Sequence, residues 1–509
     1  MSDESVHKAL RSQAKLVVVE APAGCGKTHQ GADYARELIA ADHLGRPLII
    51  THTHAACSVF AERTQTPRGR VEIRTIDSVI GQIAAAYHVG LDLPVDIATW
   101  LRKNEDQGHQ ELAIRVTNLL KSRPMIAAML ARRHPVVICD EHQDSSGNQH
   151  AVVMTLLEQG AQVRIFADPM QKIFKEETST DSLPPYDWEA LGSSAQAFAR
   201  LDYPHRWDKG CQDLGRWTLE ARERLKTNGR IDLRTGLPQS VRVVYAENRA
   251  QAQSGYQLQP HERKPVDIFV DVHAKESFLI LTRYNDTTRS LRAFFRRRIP
   301  LWEGHTRPGL DKLVDTMSIS HGDGPALAKA LVSFMEDVGK GFSPSAFGRA
   351  FVEEVCNGCV KKCRGKPALI QDLARLIVND PSHRGVAKVL DHLSKLKASN
   401  KAFNDIEIDC QREFREAVRL ASFDAPDIGL AEITNRRTYS RPKPPTKAIS
   451  TIHKAKGLET DSVILLPCDR RTFPDKLEAR CLLYVALSRA KQRLMLVVSR
   501  DNPSPLFII

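Results

Sequence analysis

Near the start of the chain, an apolar run ends in a glycine-rich turn that could hold a phosphate group. Residues 16–20 read LVVVE and residues 21–28 read APAGCGKT. Glycines let backbone N–H groups approach phosphate oxygens, and the positive end of a following helix attracts negative charge. Lys27 adds a mobile positive charge, and Thr28 adds a hydroxyl that can bind Mg²⁺. The pattern predicts a strand, a phosphate-binding loop and a helix, although Ala21 stands where the usual pattern has its first glycine.

Two adjacent carboxylates follow another apolar run farther along the chain. Residues 136–144 read VVICDEHQD, so Asp140 and Glu141 come directly after four apolar residues. At a strand end beside a phosphate-binding loop, Asp140 could hold Mg²⁺ and Glu141 could polarise an attacking water molecule. Acidic residues are common where loops begin. The order of phosphate loop and then carboxylate pair nevertheless favours a nucleoside triphosphatase.

Short apolar runs that alternate with helical segments would position these groups. Near-continuous apolar strands between helices are typical of parallel sheets that are buried on both faces. The alternation occurs in both halves of the chain and predicts an α/β fold with two parallel-sheet units. A helix is predicted at residues 29–40, and the predicted strands are residues 16–20, 48–51, 71–74, 136–140, 163–166, 278–282, 461–467 and 494–499.

Two polar, helical segments interrupt this alternation and define the expected domains. Residues 80–133 contain no strand-like run, and residues 311–445 repeat the pattern on a larger scale. The second segment closes with RRTYSRPKPP at residues 436–445, a basic proline-rich link predicted to be extended and exposed. We expect a first α/β domain at residues 1–79 and 134–200 and a second at 201–310 and 446–509, each interrupted by one helical insertion.

Composition favours an ordinary folded protein over a membrane, secreted or fibrous one. The 509 residues are 42% hydrophobic and 26% charged. No apolar run approaches the roughly 20 residues that span a bilayer, and the opening MSDESVHKAL lacks the layout of a secretory signal. The net charge of +12 would suit a polyanionic partner without requiring one. We expect a cytoplasmic protein that does not contact a membrane.

Three of the ten cysteines have a spacing that could bind a metal. Cys356, Cys359 and Cys363 form a C-x2-C-x3-C cluster, which could supply three ligands of a zinc or iron–sulfur site. His383 or Cys410 could then supply the fourth ligand. The flanking lysines equally suit a basic surface loop with free thiols, and this second interpretation is the favoured one.

Five sequence segments, taken in order, carry a family resemblance. They are AGCGKT at residues 23–28, DEHQD at 140–144, ADPMQ at 167–171, TIHKAKGLE at 451–459 and YVALSRAK at 484–491. Together they resemble the ordered motifs of superfamily 1 DNA helicases of the UvrD/Rep type. The resemblance implies a P-loop NTPase with two RecA-like domains, each interrupted by a mainly helical insertion, that uses ATP and Mg²⁺. The segments TIHKAKGLE and YVALSRAK are the most specific of the five.

The resemblance also implies roles for individual residues. Thr28 and Asp140 would hold Mg²⁺, Glu141 would orient the hydrolytic water, and Gln171 would sense the γ-phosphate. Arg206, in the segment LDYPHRW, and Arg489 would be two arginine fingers. The residues expected to bind the nucleotide are Ala23, Gly24, Cys25, Gly26, Lys27, Thr28, His29, His205, Gly457 and Glu459.

A single strand of nucleic acid is expected to cross the carboxyl ends of the strands. Hydroxyl, imidazole and guanidinium groups at strand ends suit contacts with phosphates, which hold a strand without reading its sequence. The candidates are His52, Thr53, Thr75, Arg283, Thr451 and His453.

The chain also departs from the family pattern at the base-contacting positions. Only 26 residues precede Lys27, and Gln13 lies too close to act as the usual adenine-reading glutamine. His205 replaces the aromatic residue that stacks on adenine. After Gln171, Phe174 and Glu176 stand where a tyrosine and a base-stacking tryptophan are usual. Hydrolysis is therefore better supported than strand separation.

Two functions from different classes fit these expectations. The first is a helicase or translocase that moves on single-stranded DNA, with the 3′ to 5′ polarity that the resemblance implies, in DNA repair or antiviral defence. The second is a DNA-sensing ATPase subunit that activates a partner nuclease without much unwinding, since the chain also resembles the compact B component of Gabija phage-defence systems, whose partner is the nuclease Gabija A. A phosphate-loop ATPase unrelated to nucleic acid is disfavoured, because TIHKAKGLE would then have no purpose.

Overall fold

The alternating apolar and helical segments fold into two units, seen here in a computed structural model. One unit comprises Met1–Phe294 and Thr451–Ile509, and the other comprises Phe295–Ser450. Among the described residues, no helix has both the length and the apolar character needed to cross a bilayer. The structure describes residues 2–40, 45–64, 70–104, 107–174, 181–247, 256–303, 307–343, 345, 347–361, 363–439 and 445–509.

A six-stranded sheet forms the centre of the first lobe, which we define as residues 1–200. Its strands are β1 (Leu16–Glu20), β2 (Leu48–Thr51), β3 (Glu72–Thr75), β4 (Val136–Cys139), β5 (Gln162–Ala167) and β6 (Ala197–Arg200). They lie in the order β3-β2-β4-β5-β1-β6, and every neighbouring pair is parallel. The carboxyl ends of all six strands therefore meet at one edge, where open parallel sheets bind ligands.

Helices cover both faces of this sheet. They are α1 (Ser2–Leu10), α2 (Lys27–Ala40), α3 (His54–Thr64), α4 (Ile76–Ala86), α5 (Ile97–Lys103), α6 (Gly108–Ser122), α7 (Pro124–Arg133), α8 (Gly147–Glu158) and α9 (Trp188–Ser194). Because successive strand residues face opposite sides, Val18 packs with α4, α6 and α8, whereas Val17 packs with α1 and α2. Leu112 and Val116 of α6 share the core of Val18. The helices of residues 80–133 thus pack onto the sheet rather than around a core of their own.

The second lobe, defined as residues 201–294 and 451–509, begins with a long helix and continues with strands. Its first elements are α10 (Gln212–Lys226), β7 (Ile231–Asp232), β8 (Val241–Ala246), α11 (Pro260–Val272), β9 (Phe278–Thr282) and α12 (Asn285–Phe294). All five residues of β9 are buried, as expected for a strand covered on both faces.

The unit Phe295–Ser450 interrupts the second lobe in sequence and is mainly helical. It contains α13 (Pro308–Ile319), α14 (Gly324–Val338), β10 (Gly339–Lys340), α15 (Phe347–Cys356), α16 (Lys366–Asn379), α17 (His383–Ser399), β11 (Glu407–Ile408), α18 (Gln411–Arg419) and α19 (Pro426–Tyr439). β12 (Lys447–Thr451) follows at its end. Its helices bury one core of their own, which includes Leu331, Phe334, Phe351 and Phe403.

The chain then returns to the second lobe and completes its sheet. The remaining elements are β13 (Thr460–Cys468), α20 (Leu477–Leu487), β14 (Ala490–Ser499) and β15 (Phe507–Ile508). Strands β9, β13, β14 and β8 lie side by side in this order, and each pair is parallel. The two parallel sheets confirm the predicted α/β fold class. They are consistent with two RecA-like domains.

Strands buried in the sheets match the sequence prediction most closely. β1, β2 and β9 have the predicted bounds, and β3 and β4 differ from prediction by one residue at their ends. β6 and β8 were not predicted, because each lies at the edge of its sheet and mixes exposed with buried residues. An edge strand does not need a continuous apolar run.

The prediction that residues 436–445 form an extended link is wrong for its first part. Helix α19 continues to Tyr439. The first proline of the segment is Pro442, and a proline restricts only the residue directly before it. Residues 440–444 of the predicted link lie outside the described residues.

A buried ion cluster joins α10 to the ends of two strands in the first lobe. The guanidinium of Arg222 contacts the carboxylates of Asp168 and Glu20, each at 2.6 Å, and Lys226 contacts Glu20 at 2.8 Å. The side chains of Arg222 and Asp168 are both 0% exposed. The neighbouring carboxylates raise the pKa of Arg222 against the effect of burial. A buried cation of this kind depends on its partners.

Replacement of Arg222 by methionine should therefore destabilise the protein strongly. Two carboxylates would stay buried without their main partner, and breaking a buried pair costs about 3–5 kcal/mol. Urea denaturation of Arg222→Met measures this loss of unfolding free energy. The matched control is Arg216→Met on the same helix, because Arg216 is 67% exposed and its partner Asp213 is exposed as well. Equal stability of the two variants would contradict the assignment.

Candidate active site

The phosphate loop has the backbone geometry that its sequence predicts. β1 ends at Glu20 and α2 begins at Lys27, with Gly24 and Gly26 between them at φ angles of 76° and 87°. These angles lie in the left-handed region that favours glycine. A Cβ built on Gly24 would also lie 2.7 Å from a ring carbon of Trp207. Two glycines therefore let the turn form and let a second segment pack against it.

The remaining candidates in this loop differ in their exposure. Ala23 and Cys25 are buried, and burial raises the pKa of the Cys25 thiol to about 12, so that this cysteine is inert. The side chain of His29 is 62% exposed, and its imidazole lies 3.2 Å from Asp33. The side chains of Ala23 and Cys25 therefore face the interior, which leaves the backbone of this loop as its means of contacting a phosphate.

Lys27 and Thr28 meet the carboxylate pair at the end of β4. The ammonium of Lys27 is paired with Glu141, and the hydroxyl of Thr28 lies 3.4 Å from a carboxylate oxygen of Asp140. Glu141 has a φ of 55°, an unfavourable backbone conformation for this residue type. Strained backbone persists where the surrounding structure enforces it, often in active sites.

Burial and neighbouring charges determine the ionisation of these groups. Burial raises the pKa of Asp140, although the ammonium of Lys27 opposes this effect. Burial also favours protonation of Glu141, but the ammonium groups of Lys27 and Lys456 outweigh it and lower the pKa of Glu141. Glu141 is therefore an ionised carboxylate next to the phosphate loop, and its oxygens can accept hydrogen bonds.

Gln171 is held at the end of β5 by its own loop. It closes a short 3₁₀ helix, Pro169–Gln171, and its side-chain amide donates to Asp168 at 2.9 Å. Asp168 also caps this turn by accepting from the N–H of Met170. Gln143 of the DEHQD segment accepts from the N–H of Asp168 at 3.1 Å. The two acidic loops are therefore hydrogen-bonded to each other at the sheet edge.

Arg206 connects the phosphate loop to the second lobe. Its backbone N–H donates to the carbonyl of Gly24 at 3.0 Å. Its guanidinium donates to the carbonyl of Ser488 at 2.6 Å and also binds the carboxylate of Glu459. Its Nε atom is buried, with no hydrogen-bond partner among the described residues. Arg206 thus brings an incompletely paired cation to the phosphate loop.

Arg489 is a second buried cation at this place. Only 2% of the residue is exposed, and its guanidinium donates to the carbonyls of Val485 and Leu458 and to the hydroxyl of Ser488. Burial, together with the neighbouring Arg206, lowers the pKa of Arg489 to about 10. No carboxylate in the described parts of the chain forms an ion pair with it. Arg206 and Arg489 therefore place two guanidinium groups, a type of group that can bind an anion, close to each other and to Glu459.

His205 lies against the loop, and a segment that sequence reasoning missed holds it there. A Cβ built on Gly26 would lie 3.1 Å from the imidazole of His205. One ring nitrogen lies 2.7 Å from Asp3 of α1, and the other lies 3.4 Å from Asp208. The end of α1 and the segment after it are fixed in turn by buried Arg164, which donates to the carbonyls of Leu10, Ser12 and Ala14. The N-terminal helix is therefore part of the site.

Lys456 and Tyr484 make two further contacts at the site that were not predicted from the sequence. The ammonium of Lys456 binds both carboxylate oxygens of Asp144, at 2.6 and 2.7 Å, and the carbonyl of Gln171 at 2.7 Å. The hydroxyl of Tyr484 accepts from the N–H of Ala23 at 2.8 Å. Lys456 belongs to TIHKAKGLE and Tyr484 to YVALSRAK. Membership in these two most specific motifs was the sequence feature that could have indicated their roles.

The first-lobe candidates for nucleic-acid binding follow β2 and β3. The imidazole of His52 lies 3.0 Å from the hydroxyl of Ser145, and burial lowers the pKa of His52. The side chain of Thr53 accepts from the N–H of Ala56, near the start of α3. Thr75 caps α4 by accepting from the N–H of Ser78. Each polar group therefore sits where a strand gives way to a helix.

The second-lobe candidates are more deeply engaged in their own fold. The guanidinium of Arg283 donates to the carbonyl of Thr472 at 2.8 Å and to Glu478 at 3.0 Å. Thr451 is only 5% exposed. The ring of His453 lies 6.1 Å from that of Phe174, which is 49% exposed. The structure thus brings His453 next to an exposed aromatic ring of the first lobe.

Gly457 and Glu459 lie close together in sequence but differ in environment. Gly457 has a φ of 84°, and a Cβ built on it would contact nothing within 4 Å. The carboxyl of Glu459 is partly buried, which favours protonation, but Arg206 and Arg489 lower its pKa. Glu459 is therefore the ion-pair partner of Arg206, and the charge of Arg489 further favours its ionised form.

The cysteine cluster does not form a metal site in the described residues. No group of three or more His, Cys, Asp or Glu side chains among them could hold a metal ion. Cys356 is exposed and Cys359 is buried, and the thiol of Cys359 lies 3.6 Å from the carbonyl of Glu354 and 3.7 Å from that of Gln371. His383, proposed as a fourth ligand, bonds the carbonyl of Phe423 instead. The zinc or iron–sulfur prediction is therefore unsupported.

Two protein-family models match the chain. Residues 91–176 match the UvrD/REP helicase N-terminal domain, and residues 369–501 match the UvrD-like helicase C-terminal domain. The matches support a UvrD/Rep-type helicase. The first includes Glu141 and Gln171, and the second includes Lys456 and Arg489. No curated protein matches the chain at a significant level. The UvrD-like domains imply an ATP-dependent helicase activity that acts on DNA.

Helicases of this type use ATP and Mg²⁺, and the residues present fit both. The hydroxyl of Thr28 and the carboxylate of Asp140 are oxygen ligands, which Mg²⁺ prefers. The buried Nε of Arg206 has no hydrogen-bond partner in the part of the chain that the structure describes, as expected for a cation that awaits an anion. Bound Mg²⁺ would neutralise charge on the phosphate oxygens.

The bond between Ala23 and Tyr484 leads to a local prediction. Tyr484→Phe would leave a buried N–H of the phosphate loop without an acceptor, which costs about 1–3 kcal/mol. Amide hydrogen exchange in the peptide that contains Ala23 should become about tenfold faster or more. Tyr87→Phe, at a 37% exposed position in another region, is the control and should leave this peptide unchanged. Unchanged exchange in Tyr484→Phe would rule out this contact.

Proposed function

We propose that this chain is an ATP-dependent translocase on single-stranded DNA with 3′ to 5′ polarity. The observation that carries the proposal is the double contact of Arg206, with Gly24 of the phosphate loop and with Ser488 of the second lobe. A nucleotide bound at Lys27 would meet cations of the second lobe at the same point. Nucleotide binding and hydrolysis would then change the contact between the lobes, as movement along a strand requires.

The first lobe would supply the groups that bind and attack the triphosphate. Lys27 would hold the phosphates, and Thr28 and Asp140 would hold Mg²⁺. A bound triphosphate would compete with Glu141 for the ammonium of Lys27. Released from that pair, Glu141 would be able to orient the hydrolytic water. Gln171, fixed by its loop, would contact the γ-phosphate.

The second lobe would supply charge that stabilises the transition state. Arg206 and Arg489 would act as arginine fingers, and Glu459 would release Arg206 when the γ-phosphate arrives. His205 would stack on the base, with its ring fixed by Asp3. The remaining nucleotide contacts would come from the backbone of residues 23–26, from His29 and from Gly457. The proposed domains remain residues 1–79 with 134–200 and residues 201–310 with 446–509.

Single-stranded DNA would run along the carboxyl ends of the strands. The proposed contacts are His52, Thr53, Thr75, Arg283, Thr451 and His453. Phe174 would provide a stacking surface in place of the missing tryptophan, because its ring is exposed and lies next to His453. Glu176, at the usual tryptophan position, lies outside the described residues.

A second function is favoured by the packing of residues 80–133. The described helices of this segment share the core of the first lobe and, within the described residues, form no separate body that could engage a duplex. This arrangement suits a DNA-sensing ATPase of a cytoplasmic antiviral system, which would activate a Gabija A-like nuclease with little unwinding. A DNA-repair helicase would instead unwind by itself. Strand displacement by the isolated chain separates the two, since only the repair helicase should release a labelled strand.

The proposal predicts ATP hydrolysis that depends on single-stranded DNA and on Lys27. Turnover should rise when single-stranded DNA is added, and Lys27→Ala should abolish it, because no other side chain of the loop can neutralise the phosphates. Circular dichroism checks that the variant is folded. Lys8→Ala changes a 73% exposed lysine of α1 and should retain full turnover. Substantial hydrolysis by folded Lys27→Ala would exclude the proposed phosphate site.

The finger role of Arg489 predicts separate effects on binding and hydrolysis. Arg489→Ala should lower the hydrolysis rate by about 10³-fold or more, the range known for arginine fingers. ATP affinity, measured by fluorescence with a labelled analogue, should change much less. Arg500→Ala, at an exposed position just after β14, is the matched control. Weaker ATP binding by Arg489→Ala with an unchanged maximal rate of hydrolysis would contradict the role of Arg489 as an arginine finger.

A further inference from the structure

Three histidines and one serine form a single hydrogen-bonded chain in the first lobe. The Nε2 atom of His52 lies 3.0 Å from the hydroxyl of Ser145, which lies 3.2 Å from Nδ1 of His142. Nε2 of His142 lies 2.9 Å from Nδ1 of His150. The chain runs from the end of β2, through the turn after the carboxylate pair, to helix α8. We call these four residues the histidine chain.

Tyr186 closes the far end of the histidine chain. Its ring stacks on that of His150 with centroids 4.4 Å apart, and its hydroxyl donates to the carbonyl of His142 at 2.9 Å. His142 and Ser145 are each only 2% exposed. Hydrogen bonds at such buried positions resist replacement by water, so each member restrains the next.

The same segment has a second link to the strand ends. The side chain of Gln149 donates to Asp77 at 2.8 Å, next to Thr75 at the end of β3. Gln149 also completes the capping box with Ser146 at the start of α8. Residues 145–150 are therefore bonded to both first-lobe segments that we propose to contact DNA.

The other end of this arrangement reaches the hydrolytic group. His142 and Gln143 lie in the 3₁₀ helix His142–Asp144, directly after Glu141. The side chain of Gln143 binds the carboxylate of Glu141 and also accepts from the N–H of Asp168. The orientation of this turn therefore sets the orientation of Glu141.

We propose that the histidine chain couples DNA contact at His52 to the orientation of Glu141, so that it is required for DNA to stimulate ATP hydrolysis. The inference rests on the proposed function and adds positioning residues to it. Nothing in the family matches assigns a role to His142, Ser145 or His150.

The physical basis is that the hydrogen bonds of the histidine chain all run in the same direction, from donor to acceptor, at any one time. A hydroxyl and a neutral imidazole each have one donor that must point one way along such a chain. In the described part of the protein, Nδ1 of His52 has no hydrogen-bond partner. A DNA phosphate that accepts from Nδ1–H would make Nε2 an acceptor, and Ser145 would then donate to it. His142 would donate to Ser145 and accept from His150, which biases the turn that carries Glu141.

Substitutions at Ser145 test the coupling with the least disturbance. The measured quantity is the stimulation ratio, the ATP turnover with single-stranded DNA divided by that without it. Ser145→Ala removes only the central hydroxyl and should lower the ratio about fivefold, the factor that corresponds to one hydrogen bond. Ser145→Thr keeps the hydroxyl and should restore the ratio. Melting temperatures verify that both variants fold.

A double-mutant cycle then asks whether the two ends act together. His52→Phe and His142→Phe each break the same chain, so the double variant should lose no more stimulation than either single variant. His109→Phe, an exposed position on α6, is the matched control and should keep the ratio. Fluorescence anisotropy measures DNA affinity in parallel, and His142→Phe should bind DNA with unchanged affinity.

The outcomes separate this inference from the proposed function. Stimulation that survives in folded Ser145→Ala and His142→Phe overturns the histidine chain and leaves the translocase proposal intact. Losses that multiply in the double variant also overturn it, because the two ends would then act independently. If ATP turnover of the unmodified protein does not change when DNA is added, the proposed function is overturned. The proposed role of the histidine chain is then overturned as well.

Discussion

The buried charges between the two lobes are the constraint on which the site depends. Lys27 and Glu141 of the first lobe lie near Arg206, Arg489 and Glu459 of the second, and most of these groups are largely buried. A buried charge needs an opposite charge or a set of hydrogen bonds, since desolvation otherwise disfavours its ionised form. The carboxylates of Asp140, Glu141 and Glu459 oppose these three cations, and the buried Nε of Arg206 has no hydrogen-bond partner in the described parts of the chain. An anion bound at the loop would supply that partner, so we propose that the phosphate loop and the lobe contact act as one site.

The first-lobe residues proposed for nucleotide hydrolysis and those proposed for DNA binding lie at the same edge of the sheet. The turn that carries Glu141 is bonded to Gln171 through the loop of Asp168, to the second lobe through Lys456, and to His52 through Ser145. A change at any of these contacts can shift the orientation of the Glu141 carboxylate. Polar side chains with two alternative hydrogen-bond arrangements provide a physical element that both ligands can bias. Coupling of this kind requires no large change in the sheet itself.

Sequence patterns predicted the parts of the fold that are buried on both faces and the residues within contiguous motifs. The runs that form β1, β2 and β9 are apolar throughout, so their bounds could be read directly. Edge strand β8 could not be read in this way, because only one of its faces needs apolar residues. Contacts between segments that lie far apart in the sequence could not be predicted from sequence patterns either. Asp3 of α1 meets His205 from more than 200 residues away in the sequence, and no local pattern indicates that pairing.

The most direct test of this account is a crystal structure of the chain with Mg²⁺ and a non-hydrolysable ATP analogue. The account predicts that the γ-phosphate lies within hydrogen-bond distance of both Lys27 and Arg206. Glu141 should then be separated from Lys27 and face the γ-phosphate. The account would be contradicted if the analogue binds the phosphate loop while Arg206 stays paired with Glu459 and Glu141 stays paired with Lys27.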